Sequence, residues 1–261
     1  MKVAFWNCTL GDSSPRAKVD IFNNWVTTEI PELLLLEEVS FRMLVGTPCA
    51  IETNTGFRTI NYVNTLDSNY NETTKCLAAF ARPADIEFYQ LQGRTLTMDG
   101  LDQRRALVKV TSAMLGKEIW AIHANASTRG GRGAAEAVRD YLARAHRSLV
   151  GGDFNCHLAE ALGLMLPAMA PQSHQGTNLT FTQWNMQAYR AVPSTLLPNY
   201  HLSNNQRYNN ITLNPNVGPI DYLAHGRDAD IQKLNNCASE AVWWDILTHF
   251  DHCPVVYEIN E

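Results

Sequence analysis

The chain has 261 residues, 45% of them apolar, and a formal net charge of −5, with a pI of about 5.9. That length admits one large domain or two small ones. The acidic balance excludes the overall cationic field by which many nucleic-acid binders hold their ligands, but not a local site for a phosphate. No segment approaches the ~18 to 20 consecutive apolar residues of a membrane-spanning helix, and MKVAFWNCTL is too short and too polar for a secretory signal. Six cysteines (Cys8, Cys49, Cys76, Cys156, Cys237, Cys253) form no CxxC pair, which reads as free thiols in a reducing compartment. The expectation is a soluble monomer, cytoplasmic or exported without a recognisable N-terminal signal. Five Asn-x-Ser/Thr triplets, at Asn7, Asn71, Asn125, Asn178 and Asn210, would be glycan acceptors only in a secreted eukaryotic protein.

In chain order, KVAFWN (2–7) reads as a strand from its Val, Phe and Trp content. Val19, Phe22, Trp25 and Val26 fall at helical spacing, with Pro31 beyond them, so a helix is expected over 18–28. ELLLLEEV (32–39) is apolar on both faces, the pattern of a strand buried on both sides. CLAAFARP (76–83) and IEFYQLQ (86–92) read as one strand pair, ALVKVTSAML (106–115) and KEIWAIHA (117–124) as another. GAAEAVRDYLARAH (133–146) carries one apolar stripe and is the clearest helix. SLVGGDFN then reads as a strand that stops at its glycines, and IDYLAHG (220–226), EAVWWDILTHF (240–250) and CPVVYEI (253–259) read as strand-like pieces after a polar region rich in Asn, Gln and Pro. Without strict β-α-β alternation, the pattern implies one α/β domain over 1–261 with sheets packed together and helices outside.

The informative pattern is positional. Polar residues suited to metal or phosphate chemistry recur where apolar strands end: Asn7 after KVAFW, Glu38 after LLLLE, His123 and Asn125 after IWAI, Asp153 and Asn155 after LVGG, Asp221 in PIDYL, and Asp251-His252 before CPVVY. On these pieces, WN (6–7), EEV (37–39), IHANAS (122–127), GDFN (152–155), IDYL (220–223) and DHCPV (251–255), the chain resembles the endonuclease/exonuclease/phosphatase superfamily, the pancreatic-type deoxyribonuclease fold. The pieces occur in that family's order over nearly the whole chain. IHANAS followed by RGGRGAAEAV is most similar to the catalytic subunit of cytolethal distending toxins and to the deoxyribonucleases. The resemblance implies a four-layer sandwich, two mainly antiparallel β-sheets face to face with helices on both outer faces. One departure is visible: FDHCPV carries Phe250 where many members have Ser, which removes a hydroxyl from around the site.

Cleaving a phosphodiester requires neutralising the phosphate, delivering an in-line water and protonating the leaving oxygen. Mg2+, with Mn2+ or Ca2+ as alternatives, suits one or two carboxylates with water and substrate filling its other positions; Glu38, Asn7 and Asp251 are the expected ligands. His252 is the candidate general base and Asp221 its orienting partner. His123 is the general acid or a donor to the scissile phosphate, and Asp153 aligns the water or binds metal. The amides of Asn155 and Asn125 can donate to phosphate oxygens, and Arg105, with Arg104, is a candidate phosphate contact. Glu72 is a candidate buttress for His123. Arg129 and Arg132, in a glycine-rich turn at a helix N-terminus, are weaker candidates to face the substrate; Trp243 and Trp244 read as core, and Glu37 as structural. The glycines of GGDFN read as a place where a side chain would crowd the phosphate, and Cys156 as pointing away from the chemistry.

The expected activity is that of a Mg2+-dependent phosphodiesterase that nicks DNA. The alternative is a phosphomonoesterase acting on inositol phosphates or phosphoinositides with the same site. A delivery or regulatory protein partner is left unknown.

Overall fold

The computed structural model describes residues 1–11, 13–45, 50–66, 69, 71–85, 89–92, 107–113, 115–125, 128–156, 177–180, 221–226, 231–233, 242, 245–246, 249–250, 252 and 254–260. In chain order the elements are β1 (Lys2–Asn7), α1 (Arg16–Glu29), β2 (Leu33–Ser40), α2 (Phe41–Val45), α3 (Ala50–Thr55), β3 (Arg58–Leu66), β4 (Glu72–Ala81) and β5 (Tyr89–Gln92), then β6 (Leu107–Ser112), β7 (Lys117–His123), α4 (Thr128–Leu142), β8 (Leu149–Asp153), β9 (Thr177–Thr180), β10 (Asp221–Gly226), β11 (Ile231–Lys233) and β12 (Val255–Ile259).

Among the described residues the strands form two sheets, ordered β11-β12-β1-β2-β4-β3 and β5-β6-β7-β8-β10-β9. Each holds one parallel pair, β1 with β2 and β7 with β8, inside otherwise antiparallel pairing. A parallel pair needs a crossover, and each has one helix: α1 joins β1 to β2, and α4 joins β7 to β8. The alternation missing from the overall pattern is therefore present locally, as one β-α-β unit per sheet.

Side-chain parity along the strands sorts the apolar residues into three layers. Val3, Phe5, Leu33, Leu35, Leu77 and Ala79 of the first sheet meet Val108, Val110, Ile119, Ala121, Leu149 and Leu223 of the second, between the sheets. The alternate residues Ala4, Trp6, Leu34 and Leu36 face Phe22, Trp25 and Val26 of α1. On the other side Trp120, Ile122, Val150 and Tyr222 face Ala135, Val138 and Leu142 of α4. The result is the four-layer α/β sandwich, with each central strand buried on both faces, and this explains the unbroken apolar run of β2.

Helix α1 follows Pro15 and ends where Ile30 turns left-handed, at φ 45, with its N–H on the Val26 carbonyl; Pro31 could not continue the helix. Four local readings need correction. The segments 76–83 and 86–92 do not pair: β4 lies between β2 and β3, whereas β5 pairs with β6 in the other sheet. Strand β8 runs through Gly151 and Gly152 to Asp153. Val242, Asp245, Ile246 and His249 are helical, not extended. Helix α4 starts at Thr128, so its glycines lie within the first turns. No helix among the described residues is long and apolar enough to cross a membrane.

Candidate active site

The parity that fills the central layer with Val, Leu and Ala also decides where its polar end lies. Asn7 continues the face of Val3 and Phe5, Glu37 that of Leu33 and Leu35, His123 that of Ile119 and Ala121, and Asp221 that of Leu223. Register aligns them across strands: Asn7 opposes Glu37, His123 opposes Asp153, and Asp221 opposes Asp153. Parallel strands end on the same edge of a sheet, so each β-α-β unit brings two strand-end side chains to one edge. Five polar groups thus close one end of an apolar layer.

The floor of the site is buried. Asn7, Glu37, His123, Asp153 and His252 are each at most 3% exposed. Asp153 stands at its centre: Oδ2 accepts from Asn7 Nδ2 at 3.1 Å and lies 3.8 Å from His123 Nε2 and 3.7 Å from His252 Nε2, while Oδ1 accepts from the Asn155 N–H at 2.8 Å. His252 Nδ1 sits 2.7 Å from Asp221 Oδ2. In a neutral ring that contact puts the proton on Nδ1 and leaves the Nε2 lone pair facing Asn7 Nδ2, 3.4 Å away. The indole of Trp6 holds the same residue from behind, donating to the His252 carbonyl at 2.9 Å.

Glu37 is the buried support of this floor. Its two carboxylate oxygens accept from the Asp153 N–H at 3.1 and 3.2 Å. Burial, then the negative charges of Asp153 and Asp221, push its carboxyl well above the usual range. Gly152, at φ 129, is where this packing is tightest: a Cβ there would stand 2.2 Å from Glu37 Oε1 and 2.3 Å from the Ile122 carbonyl. A Cβ on Gly151 would enter the Phe5 ring at 2.6 Å. Both glycines therefore make room for the first sheet; the expectation that they make room for a phosphate is corrected.

The rim is more open. After Glu37 the register of β2 against β4 shifts between Leu36 and Val39, and Glu38 takes φ 56. This left-handed step turns Glu38 away from its neighbour's burial and brings Oε1 to 3.5 Å from His123 Nε2. Glu38 Oε2 accepts from Thr9 Oγ1 at 3.3 Å and pairs with the Lys75 ammonium. The same Thr9 hydroxyl lies 3.4 Å from Asn7 Oδ1, so the Asn7 oxygen and the Glu38 carboxylate face one another across it. Two groups could hold a divalent cation. One is Glu38 with Asn7 Oδ1, hard oxygens in a place that already accepts a positive group; the other is Asp153, Asp221 and His252, whose ligand atoms all lie within 4.8 Å of one another.

The structure thus brings together Asn7, Glu38, His123, Asp153, Asp221 and His252. Asn155, at φ 47, donates from its amide nitrogen to the Ala124 carbonyl at 2.8 Å and so ties the end of β8 to that of β7; the second N–H of that amide is the one a phosphate contact would use. Asn125 lies half-buried just beyond β7. Arg104, Arg105, Asp251 and the Trp243-Trp244 pair lie outside the described residues. Glu72 is exposed and takes the Asn64 amide at 2.8 Å; the carboxylates beside His123 are Glu38 and Asp153. Arg132 is paired with Glu136 along the exposed side of α4. Phe250, in place of the hydroxyl, packs on Trp6 at 4.7 Å with the Lys18 ammonium over its ring. Cys156 points into the outer core with α4, as expected. Thr9 and Lys75 went unread because a lone Thr after a strand and a Lys in an exposed strand carry no pattern; only the pairing of β4 with β2 places Lys75 at the site.

Among solved structures, the chain is similar to the human Nocturnin catalytic domain with bound sulfate anion, at 16% identity over 100% of this chain and 94% of that one, TM-score 0.59. It is similar to a mannosyl-6-phosphatase of Bacteroides thetaiotaomicron at 14% identity over 100% of both chains, TM-score 0.54. It is also similar to D. rerio TDP2 complexed with single strand DNA product, at 12% identity over 100% of this chain and 99% of that one, TM-score 0.53. All three are endonuclease/exonuclease/phosphatase proteins. This chain has the endonuclease/exonuclease/phosphatase fold. At these identities it is the fold that is shared, and it is the four-layer architecture anticipated from the strand-end motifs. No family model matches the chain, and no curated relative does.

Proposed function

We propose that the protein is a divalent-cation-dependent phosphodiesterase that nicks DNA. The observation that carries this reading is the Asp221–His252 contact at 2.7 Å, which leaves His252 Nε2 facing Asp153 and Asn7 on the floor of an acid-rich site. His252, oriented by Asp221, takes the proton from the attacking water; the carboxylate that fixes its tautomer also stabilises the charged ring that results. Asp153 aligns that water, being the acceptor that lies between both histidines. His123, on the opposite side of Asp153, donates to the phosphate or the leaving oxygen. Asn7 Nδ2 offers a neutral donor that an anion tolerates.

Glu38, with the side-chain oxygen of Asn7 and Asp251, would hold the cation, Mg2+ being the ion that hard oxygen donors suit best. When bound, the cation supplies positive charge to the scissile phosphate and its leaving oxygen. Arg104, Arg105 and Asn125 remain proposed phosphate contacts.

A compact anionic head group is the second reading, supported by the chain's net charge of −5, since a phosphomonoester needs a local pocket and not a long basic track. The test is supercoiled plasmid incubated with Mg2+, with a chelator control, beside phosphate release from phosphoinositides. Nicking that disappears with chelator and in His252→Ala is expected. Intact plasmid with released phosphate would transfer the site to the second reading, and intact plasmid without phosphate release would overturn both.

A further inference from the structure

The site is rich in acids for a protein that must receive an anion: Glu37, Glu38, Asp153 and Asp221 all converge on it. Among the described residues, Lys75 pairs with one of them, Glu38. Strand β4 pairs antiparallel with β2, placing Lys75 opposite Ser40 and Cys76 opposite Val39, directly past the register shift that carries Glu38. The irregularity that turns Glu38 out of the sheet therefore turns it toward Lys75.

Exposure separates the two partners. The Lys75 side chain is 49% exposed and that of Glu38 17%, so the ammonium stands on the solvent side of the carboxylate, the side from which a substrate approaches. It contacts Glu38 Oε2, one oxygen of the carboxylate assigned above to the cation. Lys18 is held twice, donating to the Thr9 carbonyl at 2.9 Å and lying over the Phe250 ring. Lys75 has only the Glu38 pair among the described residues. An ion pair this exposed adds little stability, and a long flexible ammonium can change partner without repacking its surroundings.

On the reading under Proposed function, we propose that Lys75 is a partner-exchanging phosphate contact: it cedes Glu38 to the divalent cation and takes a non-bridging oxygen of the substrate phosphate. Ammonium and cation draw on one carboxylate, so cation binding and the release of Lys75 toward substrate are coupled. The ligand class is a phosphate ester in complex with a divalent cation, and binding of one favours binding of the other.

Calorimetric titration of Mn2+ into wild type, Lys75→Met, Lys75→Arg and Glu38→Gln, with initial rates on bis(p-nitrophenyl) phosphate, tests this. Lys75→Met should bind Mn2+ about threefold more tightly, because its competitor is gone, while KM for the diester rises about tenfold with a smaller change in kcat. Lys75→Arg should keep KM near wild type. Unchanged or weakened Mn2+ affinity in Lys75→Met, or an unchanged KM, overturns the inference and leaves the proposed phosphodiesterase standing. A wild type that binds no Mn2+, or whose binding Glu38→Gln does not weaken, overturns the reading beneath it and the inference with it.

Discussion

The two β-α-β units of this protein are built alike and end differently. In β1-α1-β2 and in β7-α4-β8, parallel strands carry in-register polar pairs at their ends, Asn7 with Glu37 and His123 with Asp153, and each unit then places a left-handed residue beyond, Glu38 at φ 56 and Asn155 at φ 47. In the second unit the strand-end acid, Asp153, is itself the centre of the site. In the first, the strand-end acid is buried as a support, and its neighbour Glu38 becomes the site carboxylate at the rim. The difference lies in Gly151 and Gly152, which thin β8 until Phe5 and Glu37 of the other sheet pack against its backbone. The site acids are thus divided into a fully buried one held by fixed donors, Asp153, and a part-exposed one, Glu38, paired with an exposed ammonium.

The sharpest contrast is between the two carboxylates. Asp153→Ala should lower kcat/KM by about 10⁴, and Glu38→Ala by about 10², the latter partly restored by raising the cation concentration. Equal losses, with no restoration, would break the division into floor and rim.

Backbone substitutions probe the same asymmetry through stability. Gly152→Ala should cost on the order of 3 kcal/mol, because the added Cβ meets Glu37 and the Ile122 carbonyl at a φ that L-residues rarely adopt. Gly133→Ala, in α4 with open space around it, should instead stabilise by about 0.5–1 kcal/mol. Urea midpoints of the pair give both signs in one experiment.

Removing the buried support is the next test. Glu37→Ala leaves the Asp153 N–H without its carboxylate acceptor and should cost about 1–3 kcal/mol. Glu37→Gln keeps an oxygen there and should cost less, so equal losses would point to charge and not to the hydrogen bond.

The smallest effect is expected far from the chemistry, at the other end of a strand that begins in the site. β10 begins at Asp221 in the site and carries His225 near its other end, 6% exposed, with burial lowering its pKa below the usual 6.5. The unfolded chain therefore takes up this proton first as pH falls through 6.5, so folding stability declines below that pH and is untouched above it. His225→Asn should flatten the decline between about pH 6.5 and pH 5 without altering the plateau near pH 8; a parallel curve would show that another group is responsible.

Much of this was readable from residue order. Continuous apolar character in β2 and the stripe of α4 each follow from burial on one or both faces. The strand-end positions of Asn7, Glu38, His123, Asp153, Asp221 and His252 were visible for the same reason: a polar residue closing an apolar run must lie at the edge of the core. Local pattern failed where sequence neighbours are not spatial neighbours. Segments 76–83 and 86–92 look like a hairpin, yet β4 and β5 belong to different sheets; 240–250 is apolar enough for a strand, but Val242, Asp245, Ile246 and His249 are helical, and Ile246 and Phe250 join the core cluster of Trp6 and α1.

What the amino-acid sequence determined alone was therefore the set of apolar strands and the polar groups that end them, because alternation and burial are properties of a single segment. Which carboxylate is floor and which is rim, why two glycines precede Asp153, and that Lys75 meets Glu38 were decided only by the tertiary structure. Each depends on register between strands distant in the chain and on one left-handed residue, and neither leaves a period in the sequence.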